Sequence, residues 1–230
     1  MHAFAQLLDS LIYTRGRNAK LRLIADYLKA TPDPDRGWAL AALTGELDLP
    51  AVKSAAIRAL IEERVDPVLF RMSRDYVGDT AETVALLWPA HSSPSVSSAV
   101  EKPGVAQRFS TSLEANGEGL SITQVVETLA SLSRADAPGA LAEMLDRSDA
   151  EERYALLKMA TGAMRIGVSA RLAKTAFAQA FGLDVEAVEE VWHGIDPPYA
   201  ALFGWAEGGE QPSAADVPTF RPFMLAHPLE

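Results

Sequence analysis

The stretch Lys158-Met159-Ala160-Thr161-Gly162-Ala163-Met164-Arg165-Ile166-Gly167-Val168-Ser169-Ala170-Arg171 reads as one helix ending, a turn, and a second helix beginning. Gly162 stands where a helix-terminating glycine belongs, and Ser169 offers the hydroxyl of an N-cap. Between them Met-Arg-Ile-Gly forms a short extended turn. From Tyr154 to Leu183 there is no Asp or Glu, although the whole chain carries a formal charge of −10. A helix N-terminus beside basic side chains is suited to holding a phosphate. Gly167 adds room for close backbone approach to a ligand. The plain alternative is an ordinary cap with solvated basic residues, and sequence physics alone leaves the two about even.

Outward from this turn the pattern is helical, and the fold class is all-α. Leu21, Ile24 and Leu28 form one apolar stripe, with Arg22, Asp26 and Lys29 on another face. Further helices are expected at about 36–44, 51–63, 66–74, 79–88, 121–133, 137–146, 150–161, 170–181, 185–193 and 197–207. Ser121 with Gln124 and Asp149 with Glu152 have capping-box spacing, Asp184 suits an N-cap, and Gly45 and Gly182 suit helix ends. No window alternates with period two, so no sheet is expected.

Composition excludes several classes. Hydrophobic content of 48% is that of a globular protein. No run of about 18 apolar residues could span a membrane, and the N-terminus lacks the features of a signal peptide. Cys is absent, which excludes disulfides and thiolate chemistry and fits a cytoplasmic setting. The four His residues, at 2, 91, 193 and 227, show no metal-ligand spacing. Charge distribution is more telling than its sum. Residues 10–25 hold Arg15, Arg17, Lys20 and Arg22 with no acid, and residues 154–183 hold Lys158, Arg165, Arg171 and Lys174 with none. Taking those eight from the 21 basic residues leaves 13 against 31 acidic ones, a balance of −18. The chain is thus polarised, with basic patches on an acidic body.

Residues 90–119, rich in Ser, Pro and Gly, predict a flexible linker between a first helical lobe (1–89) and a second (120–207). A second linker-like stretch within 208–230 leads into the tail Phe220-Arg221-Pro222-Phe223-Met224-Leu225-Ala226. The lobes look related. Arg36, Leu40, Thr44-Gly45, Leu47, Asp48, Leu49 and Pro50 align, 117 positions on, with Arg153, Leu157, Thr161-Gly162, Met164, Arg165, Ile166 and Gly167. This suggests a duplicated helix–turn–helix unit whose second copy is the better anion binder.

In Tyr13-Thr14-Arg15-Gly16-Arg17-Asn18-Ala19-Lys20-Leu21, basic residues occupy what reads as a first helical turn and oppose the helix dipole. An anionic partner would relieve that; the alternative is a loop with solvated basic residues. Trp38, Trp88, Trp192 and Trp205 lie on apolar helix faces and read as core. Asp33 with Asp35, and Glu62 with Glu63, read as solvated surface rather than acid–base machinery. No phosphate-loop, nucleophile-elbow or zinc-protease motif occurs. No catalytic, cofactor-binding or metal residue is therefore assigned.

Three segments together resemble the N-terminal DNA-binding domain of ATP-dependent DNA ligases, most like the three-domain bacterial enzymes. Tyr13 to Leu21 is similar to their Thr…Arg-Asn-x-Lys segment. Thr161 to Arg171 resembles their Arg-Ile-Gly segment, and Arg221-Pro222-Phe223-Met224-Leu225-Ala226 resembles the Arg-Pro-Met-Leu-Ala stretch before their nucleotidyltransferase domain. The resemblance implies sealing of nicked duplex DNA through a lysine–AMP intermediate, with ATP and Mg²⁺ as cofactors of the full enzyme. The lysine belongs to a Lys-x-Asp-Gly motif, and this chain has no Asp-Gly pair. The fragment alone is therefore expected to be inactive, its nucleotidyltransferase and OB domains lying elsewhere. By resemblance the DNA-binding residues are Arg17, Asn18, Lys20, Gly162, Arg165, Gly167, Ser169, Arg171 and Lys174, contacting phosphates and the minor groove without base specificity. Asp48 and Pro50 depart from the basic-Gly pattern, which puts a contact from the first unit's turn in doubt. A monomer at the nucleoid is implied, in replication, repair or recombination, with no choice among these. The competing class is a helical protein–protein module whose basic patches engage an acidic partner.

Overall fold

The computed structural model describes residues 1–89, 119–162 and 164–213. These form twelve α-helices and, among the described residues, no strand. In chain order they are α1 (His2–Tyr13), α2 (Arg17–Ala30), α3 (Asp35–Thr44), α4 (Ser54–Glu62), α5 (Pro67–Val77) and α6 (Thr80–Leu87). The second half supplies α7 (Ile122–Ser131), α8 (Ala137–Arg147), α9 (Ala150–Thr161), α10 (Ala170–Phe181), α11 (Val185–Trp192) and α12 (Ala200–Ala206). The segment expected to be a linker, apart from Gly119, and the Arg221–Ala226 stretch lie outside the described residues.

Most helices open and close where their side chains dictate. Ser121 and Asp149 both complete capping boxes, with Gln124 and Glu152, and Asp184 accepts from the Ala187 N–H. Gly45, Gly162 and Gly182 terminate α3, α9 and α10 in the left-handed conformation. The α1 helix was not expected. Its Phe4, Leu7, Leu8 and Leu11 are buried at helical spacing, but it has neither a side-chain cap nor an acidic first turn to announce its start. The last helix begins at Ala200, three residues later than expected, because Pro197, Pro198 and a left-handed Tyr199 precede it.

The two helices of the opening stretch are the centre of the fold. Residues Ala155 to Ala160 of α9 are all buried, and α1 and α6 lie against that helix. In α10, Ala173, Ala176 and Ala178 leave so little side chain that α2, α3 and α11 all pack on it. Phe177 of α10 is fully buried among Phe181 and Phe203, its ring edge-on to Phe203 at 5.2 Å. Burying each such side chain contributes about 1.5–3 kcal/mol. Trp88 and Trp192 are buried, and Trp38 and Trp205 pack partly buried against the same core.

That core is one continuous cluster from Met1 to Phe203, so the division at 89 and 120 does not separate two cores. Polar contacts also cross it. Asp35 of α3 accepts from the backbone N–H groups of Ile122 (3.2 Å) and Thr123 (2.9 Å), capping α7 from another part of the chain. The Trp88 indole donates to Asp146 of α8 at 2.8 Å, and the buried Arg153 donates to the carbonyls of Leu145 and Trp88. The sequence break marks a covalent connection rather than a packing boundary, because each half leaves apolar faces that only the other half covers.

The aligned units do share local structure. The Thr44 hydroxyl donates to the Leu40 carbonyl and the Thr161 hydroxyl to that of Leu157, at matching positions. Arg36 and Arg153 are both buried, as are Leu49 and Ile166, while Asp48 and Arg165 are both exposed. Arg36 donates to Asp33 and, at 2.5 Å, to Glu207, with its guanidinium 4.2 Å over the Phe203 ring.

One residue later, Gly37 allows α3 to touch the segment before α12. A Cβ there would stand 1.8 Å from the Pro198 carbonyl oxygen. Relief requires moving backbone, so Gly37→Ala is expected to cost about 3 kcal/mol, read as a lowered midpoint in urea denaturation. Gly139→Ala, with nothing within 4 Å of the added carbon, is the control and should leave the midpoint nearly unchanged.

Candidate nucleic-acid interface

The two acid-free windows, far apart in sequence, meet in space. Lys20 of α2 is only 8% exposed, and its ammonium donates to the carbonyls of Ile166 (3.0 Å) and Gly167 (2.9 Å). Gly167 has φ +69, and a Cβ on it would lie 2.7 Å from the Lys20 Nζ. The backbone conformation therefore favours glycine at that position, and a Cβ would also press on the ammonium. Beside this contact lies a cleft of about 600 Å³. Thr14, Arg15, Arg17 and Lys20 line one side; Arg165, Ile166, Gly167 and Leu172 line the other. No carboxylate lines it. Arg15, Arg17 and Arg165 are exposed and, among the described residues, none forms an ion pair.

A second cavity of about 570 Å³ adjoins it through Arg165. Three helix–turn–helix junctions converge here. Thr44, Gly45 and Ser54 come from α3–α4, Gly78, Asp79 and Thr80 from α5–α6, and Thr161, Gly162, Arg165 and Ala170 from α9–α10. The turn glycines Gly45, Gly78 and Gly162 have φ of 80, 78 and 65. Leu43, Ile57, Leu157, Met164 and Val168 also line the cavity; its hydroxyls, turn glycines and the first residues of three helices are the part suited to a polyanionic backbone. Its one carboxylate is already engaged. Asp79 caps α6 through Ala81 (2.9 Å) and Glu82 (3.1 Å), and its other oxygen accepts from the buried Lys158. Burial alone would push the Asp79 carboxyl up, but Lys158 and the two N–H groups outweigh this and hold it below the usual range.

The nine residues singled out from sequence divide accordingly. Arg17, Lys20, Arg165 and Gly167 surround the first cleft, and Gly162 edges the second. Asn18 is exposed on the first turn of α2 but does not line the cleft, and Ser169 caps α10 by accepting from Leu172 at 3.2 Å. Arg171 is exposed and has an acid after all, Glu189 of α11, at 3.5 Å. Lys174 points inward, its ammonium 4.5 Å over the Trp192 ring, where burial lowers its pKa. Lys20 and Lys174 thus present no free ammonium, because helix phase turns both toward the core. Lys158, counted in the second window, is likewise taken up by Asp79.

Residues missed by sequence are those of the α5–α6 turn and the first unit's Thr44, Gly45 and Ser54. The Gly-Asp-Thr run at 78–80 is a stop-and-start signal that could have been read. Asp48 does not line the cavity, so the departure at that position leaves the first turn's backbone and hydroxyls in place. His2, Asp149 and Glu152 bring three potential ligand atoms within 4.8 Å, which spacing could not show. Both carboxylates serve the α9 capping box, and that trio carries no assignment.

Against known families, residues 1–178 match the model described as DNA ligase N terminus. The matched span includes both clefts, all three turns and Lys20.

Because the folded Asp79 carboxyl lies below its ordinary value, its charge stabilises the fold at neutral pH. That contribution is lost as pH falls through the depressed value. Asp79→Asn, which keeps a capping oxygen, is expected to cost about 1–2 kcal/mol at pH 7 after allowing for partial exposure. In thermal scans the gap to wild type should close below about pH 4. A gap constant down to pH 2 would mean the charge is not the source.

Proposed function

The chain belongs to the DNA ligase N-terminal domain family, and from its geometry we propose that it grips nicked duplex DNA without reading sequence. The observation that carries this reading is the convergence of the two acid-free windows at the contact of Lys20 with Ile166 and Gly167. It leaves Arg15, Arg17 and Arg165 around one carboxylate-free cleft. Exposed arginines bind successive phosphates, while the hydroxyl and glycine rim of the neighbouring cavity allows backbone-to-backbone approach in the minor groove. Contacts from these groups to phosphate and sugar carry no sequence information, which suits an enzyme that must seal any nick. The first unit's turn contributes through Thr44, Gly45 and Ser54 rather than through a basic side chain.

In this reading the chain supplies grip and not chemistry. ATP and Mg²⁺ would serve the nucleotidyltransferase and OB domains of a full ligase, since no lysine here lies in a Lys-x-Asp-Gly motif. The protein acts as a monomer on chromosomal DNA, in replication, repair or recombination. No helix among the described residues is long and apolar enough to cross a membrane.

The test is a salt titration on nicked duplexes of two unrelated sequences. Arg17→Glu with Arg165→Glu is expected to weaken binding at least tenfold on both, and to lower the log–log salt slope by about 1 per lost phosphate contact. Arg134→Glu with Arg147→Glu, both exposed and lining neither cleft, should change affinity less than about twofold. Circular dichroism checks that helicity is kept. Equal losses from both pairs would indicate diffuse electrostatics, and an acidic-protein partner would replace DNA if the cleft variants left duplex binding intact.

A further inference from the structure

A third groove runs between α1 and α6, with α9 as its floor, and nothing in the DNA-binding reading uses it. Its volume is about 360 Å³. Small residues from all three helices line it, Ala5 of α1, Ala85 of α6 and Ala150 of α9, beside Tyr154. Its walls expose three large apolar side chains: Ile12 at 44%, Tyr13 at 79% and Leu86 at 65%. Apolar area of this kind, held open between two helices, is suited to a partner helix laid along it.

Charge decides which partner. Asp9, Glu82 and Glu151 line the groove, and among the described residues their carboxylates form neither an ion pair nor a hydrogen bond. Burial, followed by the nearby carboxylates of Asp79 and Glu82, pushes the Tyr154 hydroxyl up to about 12. Duplex DNA would bring phosphates against these acids, and a second copy of this chain would bring a body of net charge −10. A segment with apolar residues at helical spacing, flanked by Lys or Arg, would cover the apolar walls and neutralise the rim together.

We propose that the groove between α1 and α6 docks a cationic amphipathic peptide segment of a protein partner, its apolar side chains against Leu86 and Ile12 and its basic ones against Asp9, Glu82 and Glu151. The groove meets the DNA clefts at its edges: Ile12 also lines the first, Asp79 the second, and Arg165 all three.

The probe is a fluorescently labelled, end-capped peptide of leucine and lysine at amphipathic helical spacing, followed by anisotropy at physiological salt. Its control is the same pattern with glutamate in place of lysine. The lysine peptide should bind saturably to the full chain and the glutamate peptide should not. Leu86→Ser should weaken binding about tenfold, and Glu82→Lys with Glu151→Lys at least as much. Glu62→Lys with Glu63→Lys, the same charge change at the exposed end of α4, should leave binding within about twofold. All substituted side chains are solvent-facing, so each variant should keep its helicity. The proposal is overturned if the α4 pair weakens binding as much as the groove pair, which would mean attraction to the acidic body as a whole. It is also overturned if Leu86→Ser has no effect, or if the glutamate peptide binds equally well.

Discussion

The fold and its candidate site both depend on a buried ammonium that has no carboxylate. Lys20 emerges from α2 into the turn before α10 and is held there by two carbonyl oxygens. Desolvating a charge costs several kcal/mol unless hydrogen bonds compensate it. Carbonyl dipoles can do so without cancelling the charge. A carboxylate partner would have neutralised the cleft beside it; carbonyls leave its field positive. The same contact locks α2 to α10 and fixes the Met164–Val168 turn, so that Arg15, Arg17 and Arg165 can share one cleft. Gly167 suits this arrangement through its positive φ, and a Cβ there would make the ammonium shift from its two carbonyls.

Around that contact, three turns repeat one solution. Each helix ends in a left-handed glycine, and that glycine and the first residue of the next helix both line the cavity. The first unit carries Asp48 where the second carries Arg165, yet both present a Thr-Gly edge. Duplication followed by divergence in charge is consistent with one unit reaching phosphates through arginine and the other through hydroxyl and backbone. The Glu46 carboxylate, next to the first turn, accepts from Trp192 at 2.7 Å and Tyr199 at 2.5 Å, which ties that turn to α11 and α12. Each turn is thus anchored by a polar contact from elsewhere in the chain, Lys20 for one and this pair of aromatic donors for the other.

Much of this was legible in sequence, for identifiable reasons. Caps such as Ser121, Asp149 and Asp184 are local chemistry, and the helices they begin fall where they were expected. The family resemblance rests on segments whose shared span the family match includes, except for the Arg221–Ala226 stretch. What could not be read was closure in space. Lys20 and Ile166 are 146 positions apart, and no periodicity brings them together. Nor does an acid-free window reveal a distant acid. Asp79 reaches Lys158 from 79 positions away, and Glu189 reaches Arg171 from the next helix. Helix phase in α10 could have shown Lys174 turned inward, because Ala173 and Phe177 share its side, but its basic character drew the reading outward. How the two halves meet was out of reach for a similar reason: a Ser- and Pro-rich stretch locates a connection, and only the apolar faces on either side determine whether they pack together.

The acidic body and the basic clefts are compatible because electrostatics is local at physiological salt. A Debye length near 8 Å means that a phosphate in the Arg17–Arg165 cleft responds to its lining and only weakly to carboxylates farther off. Excess negative charge elsewhere then has a use. Under the proposed DNA-binding reading it would disfavour contact of DNA with the remaining surface and leave the places where carboxylates are missing or, like Asp79, already engaged. The α1–α6 groove follows from the same division. Its Asp9, Glu82 and Glu151 would repel phosphates from an apolar surface that adjoins Arg165, and under the proposed reading the groove would take a cationic segment while the neighbouring clefts take DNA. Arg165 marks a boundary where the sign of the lining changes within one side chain's reach, from the basic cleft it shares with Arg15 and Arg17 to the acidic groove.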